Sequence, residues 1–226
     1  MKRYIRLSYD IGRKTPLYPG TPEVTIEKLK DMANGGHCNT YKVAFSNHTG
    51  THIDAPAHFY ENGRRISGYS PEELVFNRPL IIDVPKEAGE AIGADDLSGR
   101  IGQGKPDALL IRTGFQKYRQ TDPERYCSGN PYLSPPAAEY LKRSLPGLRA
   151  IALDCISVAT HSNRDAGIEA HRTLLKEEGP ERRAILLIED MYCPQALGHI
   201  DELIVMPVFI EEVDSSPCTV IGVIND

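Results

Sequence analysis

The stretch AIALDCISV at 150–158 carries a single charged residue, Asp154. Over AIAL at 150–153 the apolar residues fill consecutive positions instead of every second one, as they do in ALLI at 108–111 and AILLI at 184–188. A half-exposed strand alternates apolar and polar residues. A short continuous apolar run is a strand covered on both faces. Working outward, β-branched and aliphatic enrichment predicts strands over 4–8, 40–44, 79–84, 108–112, 150–158, 184–188, 203–213 and 219–224. Two helices are readable. One starts behind Ser134 as N-cap, with Pro135 in the first helical position, and runs to about Leu145. The other covers about 166–178 and stops at Gly179. Strands outnumber helices, so the predicted class is α/β, with a large, partly antiparallel sheet and flanking helices. Residues 102–106 and 122–131 read as surface loops. Neither is long enough to be a linker, so 1–226 is expected to be one domain.

The chain of 226 residues has a formal net charge of -5, and no dense Lys/Arg run marks a nucleic-acid footprint. Cys38, Cys127, Cys155, Cys193 and Cys218 are scattered, odd in number and without a C-x-x-C pair, which fits a reducing compartment. MKRYIRLSYDIG lacks the apolar stretch of a signal peptide, and no apolar run approaches the length of a membrane span. The expected setting is the cytoplasm, with a small-molecule substrate and neither nucleic acid nor membrane as partner.

Ser46–Tyr60 reads SNHTGTHIDAPAHFY and holds His48, His52, Asp54 and His58. Imidazole and carboxylate are the ligand set of zinc and of harder divalent ions such as manganese. A helix is rejected here, because Thr49, Gly50, Thr51 and Ile53 are mediocre helix formers and Pro56 would interrupt. An extended strand puts all four on one face. It also separates His48 from His52 by roughly 13 Å, whereas two ligands of one ion each lie about 2 Å from it. The chain must therefore turn at Gly50. After the turn His52 and Asp54 share a face, and Pro56 redirects the chain so that His58 returns. The competing reading is four polar residues in a loop.

HTGTHIDAPAH resembles the H-x-G-T-H-x-D-x-P-x-H signature of the cyclase-like metal-dependent hydrolases, the group that contains bacterial kynurenine formamidases and isatin hydrolases. PLYPGTPEV at 16–24, ALLIRTGF at 108–115 and ALDCISV at 152–158 resemble further stretches of that family, so the likeness spans most of the chain. The resemblance implies a swivelling β/β/α fold, a homodimer or homotetramer, and a site of one or two divalent ions, zinc or manganese. His48, His52 and Asp54 would hold the first ion. Asp54 would bridge to a second, with His171 (in EAHRTLL) and Glu189 (in LLIEDM) completing it. His58 would transfer protons. The gap from His171 to Glu189 is longer than the formamidase pattern and contains the charged KEEGPERR segment at 176–183, which leaves Asp190 as a competitor for the distal carboxylate.

Independently of the family, Ile168, His171, Leu174 and Leu175 fall on one helix face, which points His171 at the core. A satisfied core histidine is the alternative. His37, His161 and His199 have no spacing that recruits them, and Cys155 reads as a buried, inert thiol. Arg64 and Arg65 could meet a substrate carboxylate or be solvated. Asp154 is either a supporting residue of the site or a strand-end turn residue. The expected activity is hydrolysis of a carbon–nitrogen bond in an aryl formamide or cyclic amide. Ester or lactone hydrolysis, cyclisation, and non-catalytic binding of a metal or small molecule are the alternatives.

Overall fold

In the computed structural model, which describes residues 1–179 and 183–225, the elements follow the order β1 (Lys2–Arg6), β2 (Thr25–Lys30), β3 (Thr40–Ala44), β4 (His52–Asp54), β5 (Val75–Phe76), β6 (Pro79–Asp83), β7 (Ala91–Ile92), α1 (Ala94–Ile101), β8 (Ala108–Arg112), α2 (Tyr118–Thr121), α3 (Pro123–Ser128), β9 (Tyr132–Leu133), α4 (Pro135–Ser144), β10 (Ala150–Leu153), α5 (Arg164–Leu175), β11 (Leu186–Glu189), β12 (Glu202–Pro207) and β13 (Ser215–Asn225). The main sheet has nine strands in the order β5-β12-β13-β4-β11-β10-β8-β6, with β1 also paired to β13. Strands β6, β8, β10 and β11 are mutually parallel. Strand β4 is antiparallel to both neighbours, β11 and β13.

The three apolar runs become adjacent central strands because each can bury both faces. Leu109, Ile111, Ile151, Leu153 and Leu187 join a core cluster that includes Leu141 of α4 and Leu174 of α5. Ala108, Leu110, Ala150, Ala152, Leu186 and Ile188 join a second cluster with Ile53, Leu203 and Val205. The mixed sheet curls toward closure, with β5, β12 and β13 covering the second cluster. This is the α/β class that the continuous runs imply.

Several boundaries differ from the sequence expectation, each for a local reason. The strand expected over 150–158 ends at Leu153, because Asp154 accepts from the Thr113 and Gly114 amides at 2.7 and 2.8 Å and turns the chain. The 203–213 run stops at Pro207, and β13 starts earlier than expected, at Ser215. The second helix begins at Arg164, and Lys176 is already extended, so the expected stop at Gly179 comes too late. Residues 180–182 of the KEEGPERR segment lie outside the described residues. Stretch 122–131 is no surface loop: Asp122 caps α3, and Tyr126 and Asn130 are fully buried.

Tyr126 and Arg119 explain that burial. Asp190 accepts from Arg119 Nε and Nη2, both at 2.7 Å, and from Tyr126 Oη at 2.6 Å, while the Arg119 guanidinium lies 3.7 Å from the Tyr9 ring centre. This buried network clamps α2 and α3 to the end of β11. Removing one partner of a buried pair leaves an uncompensated charge. Arg119→Leu should therefore lose about 3–5 kcal/mol in urea unfolding, and a loss within error of zero would contradict this role.

Candidate metal centre

The turn required between His48 and His52 is present, with Gly50 in the left-handed region at φ 67. Strand β4 then presents His52 and Asp54 on one face. Register does the next step: His52 sits directly opposite Glu189 of β11, which puts Glu189 Oε2 3.4 Å from His52 Nε2. Pro56 starts a 3-10 turn, Pro56–His58, that brings His58 back beside His48, their ring centres 4.4 Å apart. Helix α5 contributes His171 from its buried face, with Nε2 3.5 Å from Glu189 Oε1. Gly167 permits that approach, since a Cβ there would lie 2.4 Å from Ala159 Cβ. Ile168, expected on the same face, is 36% exposed.

The six residues singled out by motif and resemblance thus converge. Five of them form two compact groups, His48–Asp54–His58 and His52–Asp54–Glu189, which share Asp54. His171 touches the second group through Glu189 but belongs to neither. His52 Nδ1 donates to Gly50 O and His171 Nδ1 to Gly167 O, both at 2.8 Å, so that each Nε2 is turned toward the carboxylates. Glu189 Oε1 accepts from Ser157 Oγ at 2.9 Å and Val158 N at 2.7 Å. Asp190, the competing carboxylate, is consumed by Arg119 and Tyr126.

Electrostatics shows what the cluster lacks. Burial pushes the Asp54 carboxyl up, but His48 and His52 hold it well below its ordinary range. Burial likewise pushes Glu189 up, and His171 and His52 pull it down. Burial would lower His48, yet Asp54 and Asp214 raise it to about 10. The carboxylates are therefore ionised, the form that ligates, and they draw positive charge into the site. Among the described residues, both oxygens of Asp54 and Nε2 of His52 are buried without a hydrogen-bond partner. Such orphans are rare in native proteins. A divalent cation would satisfy all three, so the donor set fits an ion bound by His and carboxylate.

Asp214 was not visible in the sequence. It accepts from His58 Nδ1 at 2.6 Å, His48 Nε2 at 2.9 Å and Asn47 Nδ2 at 2.7 Å. It lies 156 residues beyond His58, and only the pairing of Ser215 with Asp54 brings it in. Other candidates fall away from the site. Arg64 forks onto Glu73, both bonds at 2.6 Å, and Arg65 is exposed. His37, His161 and His199 are exposed, and His199 pairs with Asp201. Cys155 is buried, its thiol pushed up by burial. Asp154 acts as the turn residue already described.

The cluster forms one wall of a cavity of about 370 Å³ whose other walls include Tyr18, Phe59, Ile156 and Ile168. A nearly closed mixed sheet with a buried His/carboxylate cluster opening on a cavity fits a metal-dependent hydrolase. Residues 5–160 match the cyclase family, described as "Putative cyclase". The kynurenine formamidase of Geobacillus thermodenitrificans (strain NG80-2) is 30% identical over 219 residues, 96% of this chain and 95% of its own. Isatin hydrolase A from Labrenzia aggregata, bound to benzyl benzoate, superposes with a TM-score of 0.81 at 19% identity, over 100% of this chain and 94% of that one. A potential metal-dependent hydrolase with cyclase activity superposes with a TM-score of 0.75 at 18% identity, over 100% of both chains. The chain belongs to the cyclase family.

Asp54 is the carboxylate common to both ligand groups. Metal analysis of purified Asp54→Ala should show a deficit larger than the roughly 10- to 100-fold weakening typical of residues one step removed from an ion. Undiminished metal content would place the ion elsewhere.

Proposed function

We propose that this protein hydrolyses a carbon–nitrogen bond in an aryl formamide or cyclic amide. The observation that carries the proposal is the buried Asp54 carboxylate, without a hydrogen-bond partner and shared by two ligand groups whose His48, His52, His58 and Glu189 line a partly aromatic cavity. The family relatives support the bond type, since those at 28–30% identity are named for a formamide. As the resemblance implies, His48, His52 and Asp54 would hold one divalent ion and Asp54, His171 and Glu189 a second; the distances instead group His52 with Asp54 and Glu189, and His58 with His48 and Asp54. Zinc is the expected metal, with manganese as the alternative. When bound, such ions polarise a carbonyl and make water acidic enough to ionise near neutral pH.

The chain's own residues supply the rest. Phe59, Tyr18, Ile156 and Ile168 exclude water and offer flat or branched apolar surface to an aryl group. Asp214 accepts from His58 Nδ1 and so fixes the ring, leaving Nε2 as the nitrogen that takes up and releases a proton. An imidazole held in this way can pass a proton to a leaving nitrogen. Ser157 and the Val158 amide hold the Glu189 carboxylate in place for His171 and His52. A cytoplasmic setting agrees with five free cysteines and with the absence, among the described residues, of a helix long and apolar enough to cross a membrane.

Assay of the metal-loaded protein on N-formyl aromatic amines tests this reading, and no turnover of any aryl formamide or cyclic amide would refute it. His58→Ala should lower kcat by roughly 100- to 10,000-fold with metal content unchanged. Equal turnover by the variant would remove His58 from proton transfer.

A further inference from the structure

Helix α5 runs from the mouth of the cavity to the metal centre. Arg164, Ile168 and His171 stand at i, i+4 and i+7, which is one face of a helix, and all three line the cavity. His171 is buried against Glu189 at the inner end, Ile168 is 36% exposed, and Arg164 is exposed at the outer end. Seven residues of helix separate Arg164 from His171 by roughly 10 Å along the axis, a span that a substituted aryl ring can bridge.

The Arg164 charge is uncommitted. It is the one Lys or Arg among the described residues of the lining, and it makes no hydrogen bond or ion pair with a described residue. Its field reaches inward all the same. Burial and the Glu189 carboxylate push the Tyr18 phenol up, and Arg164 pulls it down, so the phenol lies within electrostatic reach of both the metal centre and the guanidinium. Arg64 and Arg65, the arginines that the sequence offered for a substrate carboxylate, are not in the lining. Among the described residues of the lining Glu189 is the only carboxylate, and it is held by Ser157 and the Val158 amide and faces His52 and His171. Asp165 and Glu169, the acidic neighbours on α5, line a separate cavity. The site therefore offers a free cation to an anion and no free carboxylate to an ammonium.

We propose that Arg164 determines specificity by pairing with a carboxylate carried on the far end of the substrate's ring. The substrate class is then an anionic aryl formamide or cyclic amide, without the ammonium of an amino acid. This deepens the amide-hydrolase reading and rests on it. A planar guanidinium takes a carboxylate through two parallel N–H···O bonds, and Ile168, one turn inward, offers apolar surface to the ring between the two ends. A partly exposed pair of this kind strengthens binding by about 10-fold, and by less as salt is added.

Three formanilides test this on the metal-loaded protein: 4-formamidobenzoate, its methyl ester and 4-formamidophenylalanine. The wild type should favour the benzoate over the ester by about 10-fold in kcat/KM, through KM, and should favour it over the amino acid as well. In Arg164→Gln the benzoate-to-ester ratio should fall to near one. Arg164→Lys should keep part of it, and Arg164→Glu should invert it. Each ratio is taken within one protein, so a general loss of activity does not move it. The same ratio in Kd, from calorimetry, needs no turnover. Binding of the benzoate that depends on Arg164, without hydrolysis, would support the anion site while refuting amide hydrolysis. A carboxylate held by the metal instead would give a ratio that Arg164→Gln leaves unchanged. That result, or a preference for the amino acid, would overturn the proposal.

Discussion

The structure is organised around one carboxylate. Asp54 sits on a three-residue strand in the middle of the sheet, 1% exposed, with neither oxygen hydrogen-bonded. An ionised carboxylate without compensation costs several kcal/mol to bury. The chain surrounds it with histidines from the Gly50 turn, from β4 itself and from the Pro56–His58 turn. Their attraction offsets part of that cost, and a divalent ion would offset the rest. The destabilising element of the fold is thus the element on which its chemistry depends, a pattern common at functional sites.

The remainder of the fold holds that carboxylate still. β4 is buttressed on one side by β11, whose register delivers Glu189, and on the other by β13, whose first residues carry Asp214 alongside. The parallel core of β6, β8, β10 and β11 is closely packed on both faces, which gives the wall stiffness. The Arg119–Asp190–Tyr126 network locks the end of β11 one residue beyond Glu189. Asp190 and Glu189 thereby divide the labour, one anchoring helices and the other facing the site.

Much of this was readable from residues close together in the chain. Continuous apolar runs revealed β8, β10 and β11, because burial on both faces removes the need for polar positions. Ser134 with Pro135 marked the start of α4, because cap chemistry is local. Gly50 and Pro56 showed where the motif must turn. What escaped depends on pairing across long separations. β4 is only three residues long, β2 carries Glu27, Lys28 and Lys30 among six residues, so that its partner β3 was readable and β2 was not, and Tyr126 is buried by a partner 64 residues away. Asp214 carries no local signal at all; its place follows from a strand register that spacing does not reveal.

The most direct measurement is anomalous diffraction from crystals grown with zinc. The account predicts an ion about 2.0–2.2 Å from an Asp54 oxygen, with His52 Nε2 or His48 completing its coordination. Density showing Asp54 hydrogen-bonded only to protein or water, with zinc elsewhere or absent, would contradict it.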